Sequence, residues 1–256
     1  MATETVNGLA VEVSGAGVPV LFIHGLGGSS NNWTPVMEAF SQFKCVRVDL
    51  PGSARSPLGG GKLSISAYVG ALEALIGAMN LDAVHVVAHS MGTIVAQHLA
   101  VRNPALVKSL ALFGPLVAPP DAARPNITAR AQLARTGATG MQEIADAVVK
   151  GATSTETKAQ QPTTLALVRE SIMRQDAEGY AQSCEALAGA EAAAIEQISC
   201  PTLLVTGDQD GVAPAAAVTA MSEKIKGSVM HVLHGCGHWT TFEKPRDCVE
   251  LLKKFY

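Results

Sequence analysis

Residues 88–92 (AHSMG) combine residue types that support nucleophilic chemistry at Ser90. Small residues two positions before and after a serine allow the tight strand-to-helix turn that presents its hydroxyl. Such a turn also places the hydroxyl at a helix N-terminus, where backbone N–H groups favour developing negative charge. The pattern predicts that Ser90 is a nucleophile, and an ordinary helix-capping serine is the simpler alternative.

A serine nucleophile needs a base, and His238 is the candidate that the sequence favours. A base takes the hydroxyl proton and is itself oriented by an acid. His24 belongs to a glycine-rich loop, and His89 adjoins the serine, so we expect its side chain to point away from Ser90. The other four lie within predicted strands and helices: His85, His98, His231 and His234. His238 follows the last predicted strand, within a flexible loop.

The orienting acid is expected in residues 207–210 (GDQD), directly after a predicted strand. The order serine, acid, histidine along the chain is typical of this arrangement. The orienting acid can also follow an earlier strand, here the one that ends at Phe113, but no acidic residue directly follows that strand. We expect Asp210 to orient His238. Asp208 stays open as an alternative, with a turn role in which it bonds its own backbone.

Residues 24–29 (HGLGGS) resemble a glycine-rich oxyanion loop, which supplies a backbone N–H to the developing anion. Leu26 is the expected donor from this loop, and Met91 is the second, since it follows the nucleophile. A phosphate-binding loop is disfavoured because the chain lacks both GxxxxGK[ST] and a GxGxxG that opens a helix. No metal or organic cofactor is expected.

Short apolar runs alternate with helical stretches along most of the chain. Such runs are typical of strands that are buried on both faces, and the alternation predicts a doubly wound sheet. The expected fold class is α/β, with a mostly parallel eight-stranded sheet and a helical cap insertion. Residues 1–115 and 190–256 are assigned to the core, and residues 116–189 to the cap. Asn7-Gly8 predicts a hairpin turn near the start, while Pro214 and Pro245 each suit a first helical position.

Five segments together resemble the α/β-hydrolase superfamily, in its order: HGLGGSSNNW (24–33), DLPGSARS (49–56), AHSMG (88–92), PTLLVTGDQD (201–210) and GCGHWTTFEKP (235–245). The family more often has glycine where Ala54 stands, and Glu243 is interpreted as a helix-start feature. Residues 89–100 (HSMGTIVAQHLA) and 176–188 (DAEGYAQSCEALA) resemble the 3-oxoadipate enol-lactonase and carboxylesterase branch.

The resemblance implies a serine hydrolase that cleaves a small carboxylic ester or lactone, with 3-oxoadipate enol-lactone as one possibility. Carbon–carbon bond hydrolysis of ring-fission products is an alternative with the same triad, and a ligand-binding receptor on this fold is another. An enol-lactone with a free carboxylate would require a cation in the pocket. Five arginines of the insertion are candidates, although such arginines are usually solvated: Arg124, Arg130, Arg135, Arg169 and Arg174.

Composition narrows the classes of partner. The 256-residue chain has a net charge of −3 and no basic run, so nucleic acid is not an expected partner. No window approaches about 18 consecutive apolar residues, and no basic-then-apolar leader is apparent, so we expect a cytoplasmic protein without a membrane span. A small molecule is the expected partner, and the sequence leaves the oligomeric state open.

Overall fold

The computed structural model describes residues 2–256, in which eight strands form one sheet in the order β1-β2-β4-β3-β5-β6-β7-β8. Strands β3 to β8 run parallel, whereas the β1–β2 and β2–β4 pairs are antiparallel. The strands are β1 (Ala2–Val6), β2 (Leu9–Ser14), β3 (Pro19–Ile23), β4 (Lys44–Val48), β5 (Val84–His89), β6 (Val107–Phe113), β7 (Thr202–Gly207) and β8 (Val229–Leu233). The predicted fold class is confirmed.

The inner strands are buried on both faces, as their continuous apolar sequences predict. Along β3, successive side chains alternate between two hydrophobic clusters, since Leu21 packs in one and Phe22 in the other. The hairpin turn is present, with positive φ at Asn7 (48°) and Gly8 (78°). Its first strand starts at Ala2, three residues earlier than the predicted apolar pattern.

Helices cover both faces of the sheet. Helices α1 (Ile65–Ala78), α2 (Met91–Arg102) and α8 (Ala215–Lys224) pack on the Leu21 side. Helix α10 (Pro245–Phe255) and a 3₁₀ segment (Ser30–Phe40) cover the Phe22 side, and a short helix α9 (Thr240–Glu243) precedes α10. Pro245 occupies a first-turn position as predicted. Pro214 instead precedes α8 in extended conformation, so the predicted helix start was one residue early.

Five further helices lie between β6 and β7: α3 (Arg124–Ala134), α4 (Ala138–Ala152), α5 (Thr155–Gln160), α6 (Pro162–Met173) and α7 (Ala177–Ala188). Helices α3, α4, α6 and α7 share a buried cluster that also contains Trp239 and Phe242, from the loop after β8 and from α9. The helices therefore pack on the carboxyl ends of the parallel strands, where ligands bind in sheets of this kind.

None of the helices within residues 2–256 is both long and apolar enough to cross a membrane.

Candidate active site

Ser90 lies between β5 and α2 in a strained backbone conformation. Its φ is 52° and its ψ is −124°, a region that L-residues rarely occupy. The turn is held by the Ser90 N–H, which donates to the Phe113 carbonyl at 3.0 Å. A Cβ at Gly92 would lie 2.5 Å from the His24 carbonyl oxygen, so only glycine fits there. The strand-to-helix turn that the small flanking residues predict is therefore present.

Three side chains from separate loops form a continuous hydrogen-bonded chain. His238 Nε2 lies 2.8 Å from Ser90 Oγ, and His238 Nδ1 lies 2.8 Å from Asp210 Oδ2. All three residues are less than 10% exposed. Because an ionised carboxylate only accepts hydrogen bonds, Nδ1 carries the ring proton and donates a hydrogen bond to Asp210 Oδ2. Nε2 then has a free lone pair, which accepts the hydrogen bond from the Ser90 hydroxyl.

Asp210 is held ionised by its surroundings. Burial acts to raise its pKa, but the charge and hydrogen bond of His238 and the N–H groups of Ala213 and Val212 outweigh burial and lower the pKa to about 2. Both N–H groups donate to Oδ1 at 2.8 Å. This carboxylate is thereby fixed in position as well as in charge.

Asp208 lies outside this chain of hydrogen bonds. Its Oδ1 accepts from the Cys236 N–H at 3.2 Å, and its Oδ2 lies 2.7 Å from Nδ1 of the exposed His234. The predicted alternative role had Asp208 bonding its own backbone, and that detail was wrong, because its backbone partner belongs to the loop after β8. Of the two carboxylates, Asp210 is the one that contacts His238.

The glycine-rich loop after β3 runs beside Ser90. Leu26 lines the same cavity as Ser90 and His238. Met91 is the first residue of α2, so its N–H has no carbonyl partner within the helix. His24 anchors the loop: Nε2 accepts from the Leu50 N–H at 2.9 Å, so Nδ1 donates to the Gly25 carbonyl at 2.8 Å. Burial lowers the pKa of His24 and keeps it neutral.

His89 has a role that the sequence did not indicate. We expected its side chain to point away from Ser90; its ring lies 4.9 Å from that of His238 and lines the same cavity. Its Nε2 donates to the His238 carbonyl at 2.8 Å. Burial, followed by the neighbouring charge of His238, lowers the pKa of His89 to about 3. A permanently neutral imidazole thus supports the backbone of His238.

Glu243 lies in the first turn of α9 and two residues before α10, which agrees with its interpretation as a helix-start feature, and its carboxylate has further contacts. It is 2% exposed, and its carboxylate accepts hydrogen bonds from the backbone on both sides of His238, at Gly237 and Trp239. Motif spacing could not reveal this role, because the remaining partners of Glu243 lie on the cap.

Ala54 occupies a position where the family more often has glycine, and its φ is 49°. A left-handed φ explains that preference, since glycine adopts it without strain. The Ala54 N–H donates to the Gln175 side chain at 2.9 Å, which ties this loop to the cap. The loop therefore keeps the expected conformation despite the substitution.

A cavity of about 390 Å³ opens above Ser90 and is lined mainly by apolar residues of the cap. Among the described residues, Arg130 is the only Lys, Arg, Asp or Glu that lines this cavity. Three other candidate arginines are paired with carboxylates outside the cavity: Arg124 with Asp121, Arg135 with Glu178 and Glu185, and Arg169 with Asp146. Arg174 is exposed and does not line the cavity. Of the five, only Arg130 is placed to meet a ligand.

Within residues 2–256, no cluster of three His, Cys, Asp or Glu side chains has a geometry that could hold a metal ion.

Solved structures resemble this fold over nearly its whole length. The enol-lactonase from Burkholderia xenovorans LB400 has a TM-score of 0.89 and 25% identity, with 99% of each chain covered. A thermophilic esterase from Thermogutta terrifontis, with malate bound, has a TM-score of 0.89 and 24% identity, and 99% of this chain and 96% of that chain are covered. The second similarity, at this identity, concerns the fold alone.

Sequence comparisons agree with the fold. The (E)-2-((N-methylformamido)methylene)succinate hydrolase of Acinetobacter baylyi is 26% identical over 235 residues, which cover 90% of this chain and 87% of the relative. The family model for the α/β-hydrolase fold matches residues 18–245. This chain therefore belongs to the α/β-hydrolase family.

Proposed function

We propose that this protein hydrolyses a small carboxylic ester or lactone through an acyl-enzyme on Ser90. The observation that carries the proposal is the hydrogen-bonded chain from Ser90 through His238 to Asp210, at 2.8 Å for each contact. It opens into a cavity whose volume suits a small organic molecule. The relative named as a hydrolase and the structural neighbour named as an enol-lactonase support the same class.

In the first step Ser90 Oγ attacks the carbonyl carbon while its proton passes to His238 Nε2. The ionised Asp210 stabilises the imidazolium that results. The Leu26 and Met91 N–H groups donate to the oxyanion, and each such donor contributes about 3 kcal/mol to transition-state stabilisation. His238 then protonates the leaving oxygen as the carbon–oxygen bond breaks. In a lactone this oxygen stays attached to the acyl group.

In the second step a water molecule attacks the acyl carbon. His238 takes a proton from the water, and Ser90 leaves as the acyl–oxygen bond breaks and recovers its proton. The acid product departs and the resting state returns. Helices α3 to α7 serve as the cap in this proposal, and α3, α4, α6 and α7 line the cavity above Ser90 with mainly apolar side chains that limit access of bulk water.

Arg130 supports a substrate that carries a free carboxylate. It lies four residues after Asn126 on α3, so both side chains share the face that lines the cavity. Its neighbour is the phenol of Tyr180, and no ion pair with a carboxylate engages Arg130 within residues 2–256. A guanidinium that faces a largely apolar cavity attracts a carboxylate strongly. The relative named as a succinate derivative hydrolase acts on a carboxylate compound.

The nucleophile is tested with a neutral nitrophenyl ester. Ser90→Ala should lower turnover to background, and a fluorophosphonate should label the wild type at Ser90 but leave this variant unlabelled. Ser56→Ala, at a buried serine that bonds the Asp49 carbonyl away from the cavity, is the control for a lost hydroxyl. Undiminished turnover in Ser90→Ala would overturn the proposal.

The substrate class is tested with a five-membered enol-lactone that carries a carboxymethyl group, and with its methyl ester. Arg130→Gln should lower kcat/KM for the acid about 10-fold to 100-fold, the effect of a lost charged hydrogen bond, and leave the ester within about 2-fold. Arg174→Gln is the matched control and should change neither substrate. If Arg130→Gln lowered kcat/KM equally for the acid and for its methyl ester, the proposal that the substrate carries a free carboxylate would be wrong.

Two other outcomes identify the alternative functions. Faster turnover of a dienoic ring-fission product than of any ester or lactone would indicate carbon–carbon bond hydrolysis. Tight ligand retention with negligible steady-state turnover would indicate a receptor-like protein. Either outcome would leave the fold assignment unchanged and would overturn the proposed hydrolysis of an ester or lactone.

A further inference from the structure

One turn of the cap contacts both loops that carry the acid and the base. This turn, residues 152–157, joins α4 to α5 and is called the latch turn below. It lies beside the loop after β7, which carries Asp210, and beside the loop after β8, which carries His238. Only its first residue, Ala152, lines the substrate cavity.

Glu243 joins the latch turn to the base loop. Its Oε2 accepts from the Ser154 N–H at 2.8 Å and from the Thr157 hydroxyl at 2.9 Å. The same oxygen accepts from the Gly237 N–H at 3.0 Å, while Oε1 accepts from the Trp239 N–H at 3.1 Å. The carboxylate thus binds the backbone on both sides of the base and the cap at once.

The backbone of His238 is bonded to the latch turn directly as well. Its N–H donates to the Ala152 carbonyl at 2.9 Å. A Cβ at Gly237 would lie 2.8 Å from that same carbonyl oxygen and 2.8 Å from the Ser154 nitrogen, so any other residue would push the loop away. The base loop and the cap therefore meet at backbone contact distance.

Gln209 forms the corresponding connection on the acid side. Its Oε1 accepts from the Thr155 N–H at 2.9 Å and from the Thr155 hydroxyl at 2.7 Å. Gln209 immediately precedes Asp210, and its own N–H donates to the Cys236 carbonyl at 2.9 Å. One cap turn is consequently hydrogen-bonded to both triad loops, which are bonded to each other.

We propose that Glu243 and Gln209 are positioning residues that couple the cap to the triad, so that the orientation of His238 and Asp210 depends on the docked latch turn. This inference rests on the proposed function, because it assigns the roles of acid and base. Neither residue touches Ser90 or lines the cavity. Their effect is on proton transfer, which is sensitive to displacements of about 1 Å, and not on substrate affinity.

The test measures the rate constant for labelling of Ser90 by a fluorophosphonate, which depends on base activation and not on a particular substrate. Thr157→Val removes the cap-side hydroxyl and Gln209→Ala removes the acid-side amide. Each should lower this rate constant about 10-fold in folded protein and lower kcat for a nitrophenyl ester equally, with KM unchanged. Thr157→Ser retains the hydroxyl and should restore the rate to within about 2-fold of the wild type.

Thr128→Val is the control, since Thr128 is a threonine of α3, outside the latch turn, whose hydroxyl donates to the Arg124 carbonyl at 3.1 Å and which does not line the cavity. Its labelling rate should equal that of the wild type. Wild-type rates in both Thr157→Val and Gln209→Ala would overturn the inference. If Thr157→Val does not fold, the labelling rate of Gln209→Ala decides the test, because Gln209 is exposed and its replacement is not expected to prevent folding. A wild type that the fluorophosphonate does not label would instead refute the proposed function.

Discussion

Replacement of Asp210 by asparagine tests the proposed mechanism most sharply, because it changes only one carboxylate oxygen of the side chain to an NH₂ group. The Val212 and Ala213 N–H groups both donate to Oδ1. In the variant the amide oxygen must take this position, since the amide nitrogen cannot accept hydrogen bonds. The NH₂ group of the new side chain would then occupy the position of Oδ2, which faces His238.

That placement reverses the tautomer of His238. An NH₂ group donates to Nδ1, so the ring proton moves to Nε2, which then donates to Ser90 instead of accepting its proton. A reversed tautomer in a serine–histidine–aspartate triad lowers kcat about 10⁴-fold. This factor corresponds to about 5 kcal/mol in the activation free energy. We expect a loss of this size in kcat for a nitrophenyl ester, with KM within a few-fold of the wild type.

Asp208→Asn is the control, because that carboxylate lies two residues away and bonds Cys236 and His234 instead of His238. It should keep kcat within about 3-fold, as expected for a partly exposed hydrogen bond. Circular dichroism of both variants would confirm that each is folded. If Asp208→Asn lost more activity than Asp210→Asn, or if Asp210→Asn kept a tenth of wild-type kcat, the assignment of the acid would be wrong.

Three further predictions concern stability. The pKa of Asp210 is about 2 in the folded protein against 3.8 unfolded, so its contribution is present above pH 4 and is lost as the pH falls to 2. Wild type should lose about 2 kcal/mol of unfolding free energy over this interval that Asp210→Asn does not lose, measured by urea titration at each pH. Gly92→Ala should lower the unfolding free energy by about 3 kcal/mol and abolish turnover, because its Cβ would lie 2.5 Å from the His24 carbonyl oxygen. Phe22→Ala should lower the unfolding free energy by about 3–5 kcal/mol in urea, since this fully buried ring packs 5.6 Å from that of Trp33; a loss below 1 kcal/mol would contradict the assigned core.

Local sequence patterns were sufficient to predict the sheet and the strand-to-helix turn at Ser90. Buried parallel strands are continuous apolar runs of five to seven residues, and β6 has the predicted bounds. Strand β8 also has the predicted bounds, but its apolar run was wrongly interpreted as buried on both faces, because β8 is the edge strand and most of its side chains are exposed. The turn at Ser90 was visible as a local pattern of small residues, although the contact that excludes a side chain at Gly92 comes from the His24 carbonyl oxygen of the loop after β3. The sequence therefore displays the pattern directly, whereas the neighbour that requires it is a tertiary contact.

Contacts between distant segments were beyond the reach of the sequence. The bond from His89 to the His238 carbonyl, which the sequence did not indicate, spans 149 positions in the chain. The carboxylate of Glu243 accepts from Ser154, which is 89 positions away. No spacing rule relates such residues, because their meeting depends on how the cap helices pack over the sheet.

The arginines illustrate the division between sequence and tertiary structure most clearly. The sequence offered five cations in the insertion and no means to rank them. Packing pairs three of them with carboxylates and directs Arg130 into the cavity. The sequence by itself determined the family, the sheet and the candidate nucleophile, base and acid, because these depend on residue type and order along the chain. Only the tertiary structure decided which of the remaining charged groups face the cavity, which face each other, and which hold His238 in place, because burial and partner choice are properties of the packed chain.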